Sequence, residues 1–220
     1  MPRRSSVGCF NLPCIRNECP VKNHLLGPIS EDECPVKNNL LDLTAEDLSL
    51  ITRDFSPEDL IGDTQFGKLY RGKMSGGSDQ DKTTKDVAVK IMVGEMRHFD
   101  VSYDRLPRLE DELKFLQAPR FRGNLNLVKV IGCCREGRTL GIVYDLNPQD
   151  TLHNFIIRDD FKWLQRVKTA LALACLLNYL HDGNSSYMLR NFDLAHIAVY
   201  QNFTPILFEF GMLVGEGLDN

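Results

Sequence analysis

Apolar residues recur at helical spacing in three parts of the chain. Leu164, Val167, Leu171, Ala174 and Leu177 mark one face of the longest predicted helix, residues 161–181. Residues 104–117 mix charged and apolar positions at the same period, and Pro119 and Gly123 then break it. Thr44 followed by Asp47 is a capping-box pattern opening a short helix through about Arg53. Between these lie shorter apolar runs. Residues 59–73 predict two strands around a tight turn that holds Gly62 and Gly67, and Asp86 to Val93 predicts a third. Residues 127–134 and 139–145 predict two more around Glu136-Gly137, while 74–85 are a polar loop. The last forty residues predict short strands and loops. Strands first and helices later give an α+β fold class with a β-rich first lobe.

Residues 1–43 lack either period. They hold Cys9, Cys14, Cys19 and Cys34 of the seven cysteines, and five of the ten prolines. A segment recurs within them: Glu18-Cys19-Pro20-Val21-Lys22-Asn23 returns as Glu33-Cys34-Pro35-Val36-Lys37-Asn38. Two copies are too few for a solenoid. The expected organisation is a flexible extension over 1–43 and a folded unit over 44–220. No CxxC spacing supports a zinc site among these cysteines, and palmitoylation has no further signal, so a reduced tail is the favoured reading.

Composition narrows the class. Apolar residues make up 43% of the 220 and charged ones 25%, which fits a globular chain. The formal net charge is -4, whereas nucleic-acid binding is marked by a basic surplus, so no nucleic-acid partner is expected. No apolar run reaches the roughly 18 residues of a membrane span, so no transmembrane segment is expected. The basic start has no apolar core for a signal peptide, and Pro2 stands where myristoylation needs glycine. The expected location is the cytoplasm, peripheral at the plasma membrane through a partner.

Ordered motifs then carry a resemblance. Ile61-Gly62-Asp63-Thr64-Gln65-Phe66-Gly67-Lys68-Leu69-Tyr70-Arg71-Gly72 looks like a protein-kinase glycine loop, and Val87-Ala88-Val89-Lys90 like the third-strand lysine motif. Glu112 sits on the predicted helix where the lysine's partner belongs. Asn126 to Cys134, Ile142-Val143-Tyr144-Asp145, Trp163 to Arg166 and Leu177 to Asp182 closely resemble plant receptor-like kinases and receptor-like cytoplasmic kinases. The entry segment from Leu43-Thr44 to Phe55-Ser56 is similar to theirs. The resemblance implies a protein kinase-like fold: an N-lobe over 44–146 with an αC-type helix, and an incomplete helical C-lobe over 147–220. Between Glu112 and Asn126 the chain is about three residues longer than the family pattern, which places an insertion near Pro119.

By the same resemblance, Lys90 would reach the α- and β-phosphates of ATP and Glu112 would hold it. Gly62, Gly67, Leu69, Ala88, Tyr144 and Asp145 complete a residual nucleotide-binding set. Thr64 replaces the middle glycine of the loop, and its Cβ hinders backbone approach to phosphate. Met188 to Ile197 aligns with the catalytic loop. There Asn191 replaces the catalytic aspartate, and an amide is no base; general-base help is worth roughly 10²–10⁴ in rate. Asp193 replaces the phosphate-facing lysine, and one charge at ~4 Å is worth roughly 4 kcal/mol at a dielectric near ~20. His196 replaces the metal-binding asparagine, although magnesium prefers oxygen ligands. Glu209, in Phe208-Glu209-Phe210-Gly211, replaces the metal-binding aspartate with a carboxylate one methylene longer. No catalytic residue is expected to be intact. No cofactor is required; weak ATP binding is the most expected, and no magnesium or other metal.

The chain stops nine residues past Gly211, at Asn220. The family's activation segment and large C-lobe helices would follow, on the order of 100 residues. The apolar stripe of residues 161–181 is therefore expected to be incompletely covered. The expected function is that of a pseudokinase that binds a protein partner, an active receptor-like kinase or an immune receptor. The alternatives are an ATP-binding serine/threonine kinase-like protein with weak residual activity, and a truncated fragment without a role.

Overall fold

The computed structural model describes residues 40–75, 84–92, 105–137, 139–158, 161–181, 187–190, 192–200, 202–210 and 212–215. The repeat and cysteines of residues 1–39, and Asn191 and Gly211, lie outside the described residues.

Alternation of apolar residues builds the main sheet. Its strands are β1 (Leu41–Asp42), β2 (Leu60–Thr64), β3 (Gly67–Ser75), β4 (Thr84–Met92), β5 (Val130–Glu136) and β6 (Thr139–Tyr144), in the order β1-β5-β6-β4-β3-β2. All neighbours are antiparallel except β1, which runs parallel to β5. In β4 both faces are covered. Val87 and Val89 pack in one apolar cluster with Leu48 and Ile51 of helix α1 (Ala45–Ile51). Ala88 and Met92 belong to the larger core on the other face, where helix α2 (Arg105–Gln117) lies. The period of two assigns Lys90 to that second face.

The remaining elements are β7 (Asp150–Thr151), α3 (Leu152–Ile157), α4 (Trp163–His181), β8 (Met188–Leu189), β9 (Ile197–Val199), β10 (Pro205–Leu207) and β11 (Leu213–Val214). They form one three-stranded sheet, β10-β9-β7, and one pair, β11-β8. Backbone bonds join this part to the main sheet: Val128 N–H donates to Leu207 O and Leu207 N–H to Asn126 O. The Asn126 amide donates to Pro205 O at 2.8 Å. Among the described residues no helix is long and apolar enough to cross a membrane.

The capping box at Thr44 is formed as the sequence predicts: Asp47 N–H donates to Thr44 Oγ1, and Thr44 N–H to the Asp47 carboxylate. Three expectations need correction. The boundary after residue 43 cuts an element, because Leu41–Asp42 pairs with β5 and Leu43 N–H donates to Cys133 O. Gly62 and Gly67 lie in the paired strands, and the turn between them is Gln65-Phe66. The strand expected from 127 begins at Val130, since Leu127 instead bridges to Leu207. The stripe through Leu164 is, as expected, incompletely covered among the described residues and forms the outer face of α4. Its buried face is Thr169, Leu173, Leu176 and Leu180. Both faces are apolar, so periodicity alone shows two phases and cannot say which is inside. Pro119–Phe121 forms a 3-10 turn whose Phe121 is buried against Phe115 and Tyr187.

Candidate nucleotide site

Three elements converge on one ammonium group. Lys90 sits mid-strand in β4, opposite Leu69 of β3 and Ile142 of β6. On α2 the buried residues are Leu109, Asp111, Glu112, Leu113 and Phe115, so Glu112 is set among apolar side chains. Glu209 lies between the buried rings of Phe208 and Phe210. Lys90 Nζ donates to Glu112 Oε2 at 2.6 Å and to Glu209 Oε1 at 2.7 Å. All three side chains are fully shielded from solvent. The Tyr144 hydroxyl donates a short hydrogen bond to the other oxygen of Glu112.

One cation and two carboxylates in a dry core leave an excess negative charge. Burial pushes the Glu112 carboxyl up to about 7; Lys90 opposes that shift and Glu209 adds to it. Burial would lower Lys90, but the two carboxylates outweigh it and hold the lysine above its ordinary value. Burial and the same carboxylates push Tyr144 well above the usual phenol value, so it remains a donor.

The walls around the cluster are closed. Leu69, Ala88 and Tyr144 have no exposed surface. The β2–β3 hairpin is drawn inward at its tip: the Arg108 guanidinium lies 4.5 Å from the centre of the Phe66 ring, and the Gln65 amide donates to Met212 Sδ at 3.1 Å. Along the hairpin, Gly62 faces Thr151, where a Cβ would sit 3.7 Å from Thr151 Cγ2. At Gly67 a Cβ would stand 2.0 Å from Ile91 O, so that glycine is required by strand packing before any ligand is considered. Past β6 the linker is tied to the sheet. Arg71 donates to Pro148 O at 2.6 Å and Gln149 O at 2.9 Å, Lys85 pairs with Asp145 at 2.9 Å, and Asn147 donates to Asp86.

The fold therefore brings together Lys90, Glu112, Tyr144 and Glu209, with Leu69 and Ala88 beside them. It does not bring Asp145 or Asp193 to this cluster as buried groups. Asp145 is half-exposed and paired with Lys85. Asp193 is exposed, and its carboxylate accepts from Ala195 N–H at 2.8 Å, capping the 3-10 turn Leu194–His196. His196 is buried, and its carbonyl accepts from Phe208 N–H. Sequence reasoning gave no role to Gln65, Arg71 or Arg108, whose partners lie far along the chain.

Comparison with known proteins agrees with this geometry. The family of protein tyrosine and serine/threonine kinases matches residues 55–213. The probable serine/threonine-protein kinase PBL15 of Arabidopsis thaliana is 31% identical over 172 residues, covering 76% of this chain and 38% of that protein. The receptor-like serine/threonine-protein kinase ALE2 of the same plant is 31% identical over 170 residues, 77% of this chain and 21% of its own length. The probable serine/threonine-protein kinase CST, also from Arabidopsis thaliana, is 31% identical over 171 residues, 76% and 39%. The chain thus spans two fifths or less of the length of these relatives. A two-lobed arrangement of strands and helices, a strand lysine held by a helix glutamate and a match over most of the chain have one common reading: the chain belongs to the protein tyrosine and serine/threonine kinase family, alongside the plant receptor-like and receptor-like cytoplasmic kinases.

Proposed function

We propose that the chain is a kinase-like protein that does not transfer phosphate and acts by binding another protein, an active receptor-like kinase or an immune receptor. The observation that carries this reading is the state of Lys90. Its ammonium is shared by two buried carboxylates, and Glu209 occupies it from the position that the resemblance assigns to metal binding. A nucleotide phosphate reaching Lys90 would have to displace Glu209, which is itself buried, and to open walls with no exposed surface. The residues present do not fit an ATP–magnesium pair. Asp193 presents a negative charge and His196 a buried imidazole where a phosphate lysine and an oxygen ligand are needed. The partner surface in this reading includes the first lobe and the outer face of α4.

Thermal melting in millimolar ATP, with and without magnesium, tests the first half. The expected result is no ATP-dependent shift in the wild type, none in Lys90→Met from its own lower melting temperature, and no labelled phosphate on the chain or on a generic substrate protein. A magnesium-dependent upward shift, or transfer abolished by Lys90→Met, overturns it. One observation favours the weaker alternative, an ATP-binding protein with residual activity: the Lys90–Glu112 pair is formed at 2.6 Å. Co-purification with a receptor-like kinase or immune receptor, lost when the outer face of α4 is made polar, tests the second half.

A further inference from the structure

Glu209 is anchored on both sides along the chain. Residues 205–210 are buried without interruption. On the N-terminal side, Leu207 N–H donates to Asn126 O at 2.9 Å and Phe208 N–H to His196 O at 3.2 Å. On the C-terminal side, the Phe210 ring lies 4.8 Å from that of Phe115 on α2, and Leu213 N–H donates to Phe210 O at 3.0 Å. The carboxylate between these anchors is therefore aimed, and it meets Lys90 Nζ at 2.7 Å. Phe115 stands three residues after Glu112, so the two are neighbours on one side of α2. The segment 208–210 thus grips α2 twice: directly at Phe115, and through Lys90 at Glu112.

We infer that Glu209 is a built-in anion that takes the place of a nucleotide phosphate on Lys90 and holds α2 against the sheet with no ligand bound. A carboxylate and a phosphate present the same chemistry to an ammonium: anionic oxygens that accept charge-assisted hydrogen bonds. Of the three N–H donors of Lys90, two go to Glu112 and Glu209. The two carboxylates already exceed the one cation, so an arriving polyanion meets a surplus of its own sign. Side-chain length decides the contact. The aspartate that the kinase resemblance implies here is one methylene shorter, roughly 1.5 Å, which would leave its oxygen about 4 Å from Nζ and outside hydrogen-bond distance. With the backbone pinned, the longer side chain lets the protein supply its own anion. This role rests on the proposed reading of a chain that transfers no phosphate, and it adds what keeps α2 in place there: a side chain instead of a ligand.

Hydrogen exchange read by mass spectrometry, together with thermal melting, tests this on the full chain in magnesium-free buffer. The probes are ATP and pyrophosphate at ~5 mM, each of which stabilises a variant that binds it. In the wild type, Arg105–Gln117 is expected to exchange slowly, and equally with and without either anion. Glu209→Ala is expected to exchange about tenfold faster there. Both anions should slow it again and raise its melting temperature, and adding Lys90→Met should remove that response. Glu209→Gln keeps the volume and one acceptor oxygen, so α2 stays slow while the lost charge admits a small anion-dependent shift. Wild-type exchange in Glu209→Ala, or a loosened α2 that neither anion restores, overturns the inference. If Glu209→Ala has no cooperative melt, Glu209→Gln decides, and the absence of an anion-dependent shift in it overturns the inference equally. A wild type as responsive as the variants overturns both the built-in anion and the proposed function. A wild type that responds while Glu209→Ala binds about tenfold tighter overturns only the proposed function. No response in any chain overturns only the built-in anion.

Discussion

Lys90 shows how a single position changes meaning with its surroundings. In sequence it is the fourth residue of Val87-Ala88-Val89-Lys90, and Glu112 follows at the expected distance. Both are legible because their neighbours carry the motif. The bond from Lys90 to Glu209 is not legible, since it spans 119 residues and depends on where Phe208 and Phe210 bury themselves. The consequence is a pH dependence with a defined sign. Glu112 has an ordinary carboxyl value of 4.5 and is raised to about 7 in the folded protein. The folded state therefore holds that proton more tightly, so the stability from this group is full below about 4.5 and falls as pH rises through about 7. Urea midpoints at about pH 5 and about pH 8 are expected to differ in that direction. Glu209→Gln, which removes the neighbouring like charge but keeps a hydrogen-bond acceptor, is expected to flatten the difference. Lys90→Met leaves two carboxylates without their cation, and a loss of about 3–5 kcal/mol is expected at about pH 8.

At the scale of elements, the hairpin β2–β3 separates two uses of glycine that a motif cannot. Gly62 has room: an added Cβ would make an ordinary contact with Thr151. Gly67 has none, because the Cβ would strike the Ile91 carbonyl. Gly67→Ala is therefore expected to destabilise the fold by about 1–3 kcal/mol. Gly62→Ala is expected to change stability by less than about 0.5 kcal/mol, as for a surface substitution. Denaturant unfolding of both variants reads the contrast, and the reverse ranking would show that the hairpin sits differently. The elements themselves were largely readable. Strands β4 and β6 and helices α1, α2 and α4 fall close to their expected ranges because period and capping are local. What escaped was the attachment of Leu41–Asp42, decided by packing against distant residues. Gly132, whose Cβ would meet Leu41 O at 2.8 Å, makes that attachment close, and nothing in the local pattern marks it.

Across the whole molecule, the two sets of strands are held by ties that cross the sequence. Arg120 donates to Tyr179 O, and the Tyr179 hydroxyl donates back to Arg120 O, joining the turn after α2 to α4. Phe115 packs on Phe210 and Phe121, so the helix that carries Glu112 and the segment that carries Glu209 share one aromatic cluster. The fold class was readable from element order, and the family from spaced motifs; these long-range ties were not, since each pairs residues with no sequence signature for the other. One feature of the outer helix also gives the molecule an optical handle. Trp163 is the only tryptophan and is largely exposed at the start of α4. Its emission is expected to sit near that of the free side chain in water and to change little when the core unfolds. It should move to shorter wavelength when a partner protein covers this face of α4, so a titration followed by fluorescence reports binding there without a label. An emission maximum that jumps on unfolding would place the indole in the core instead.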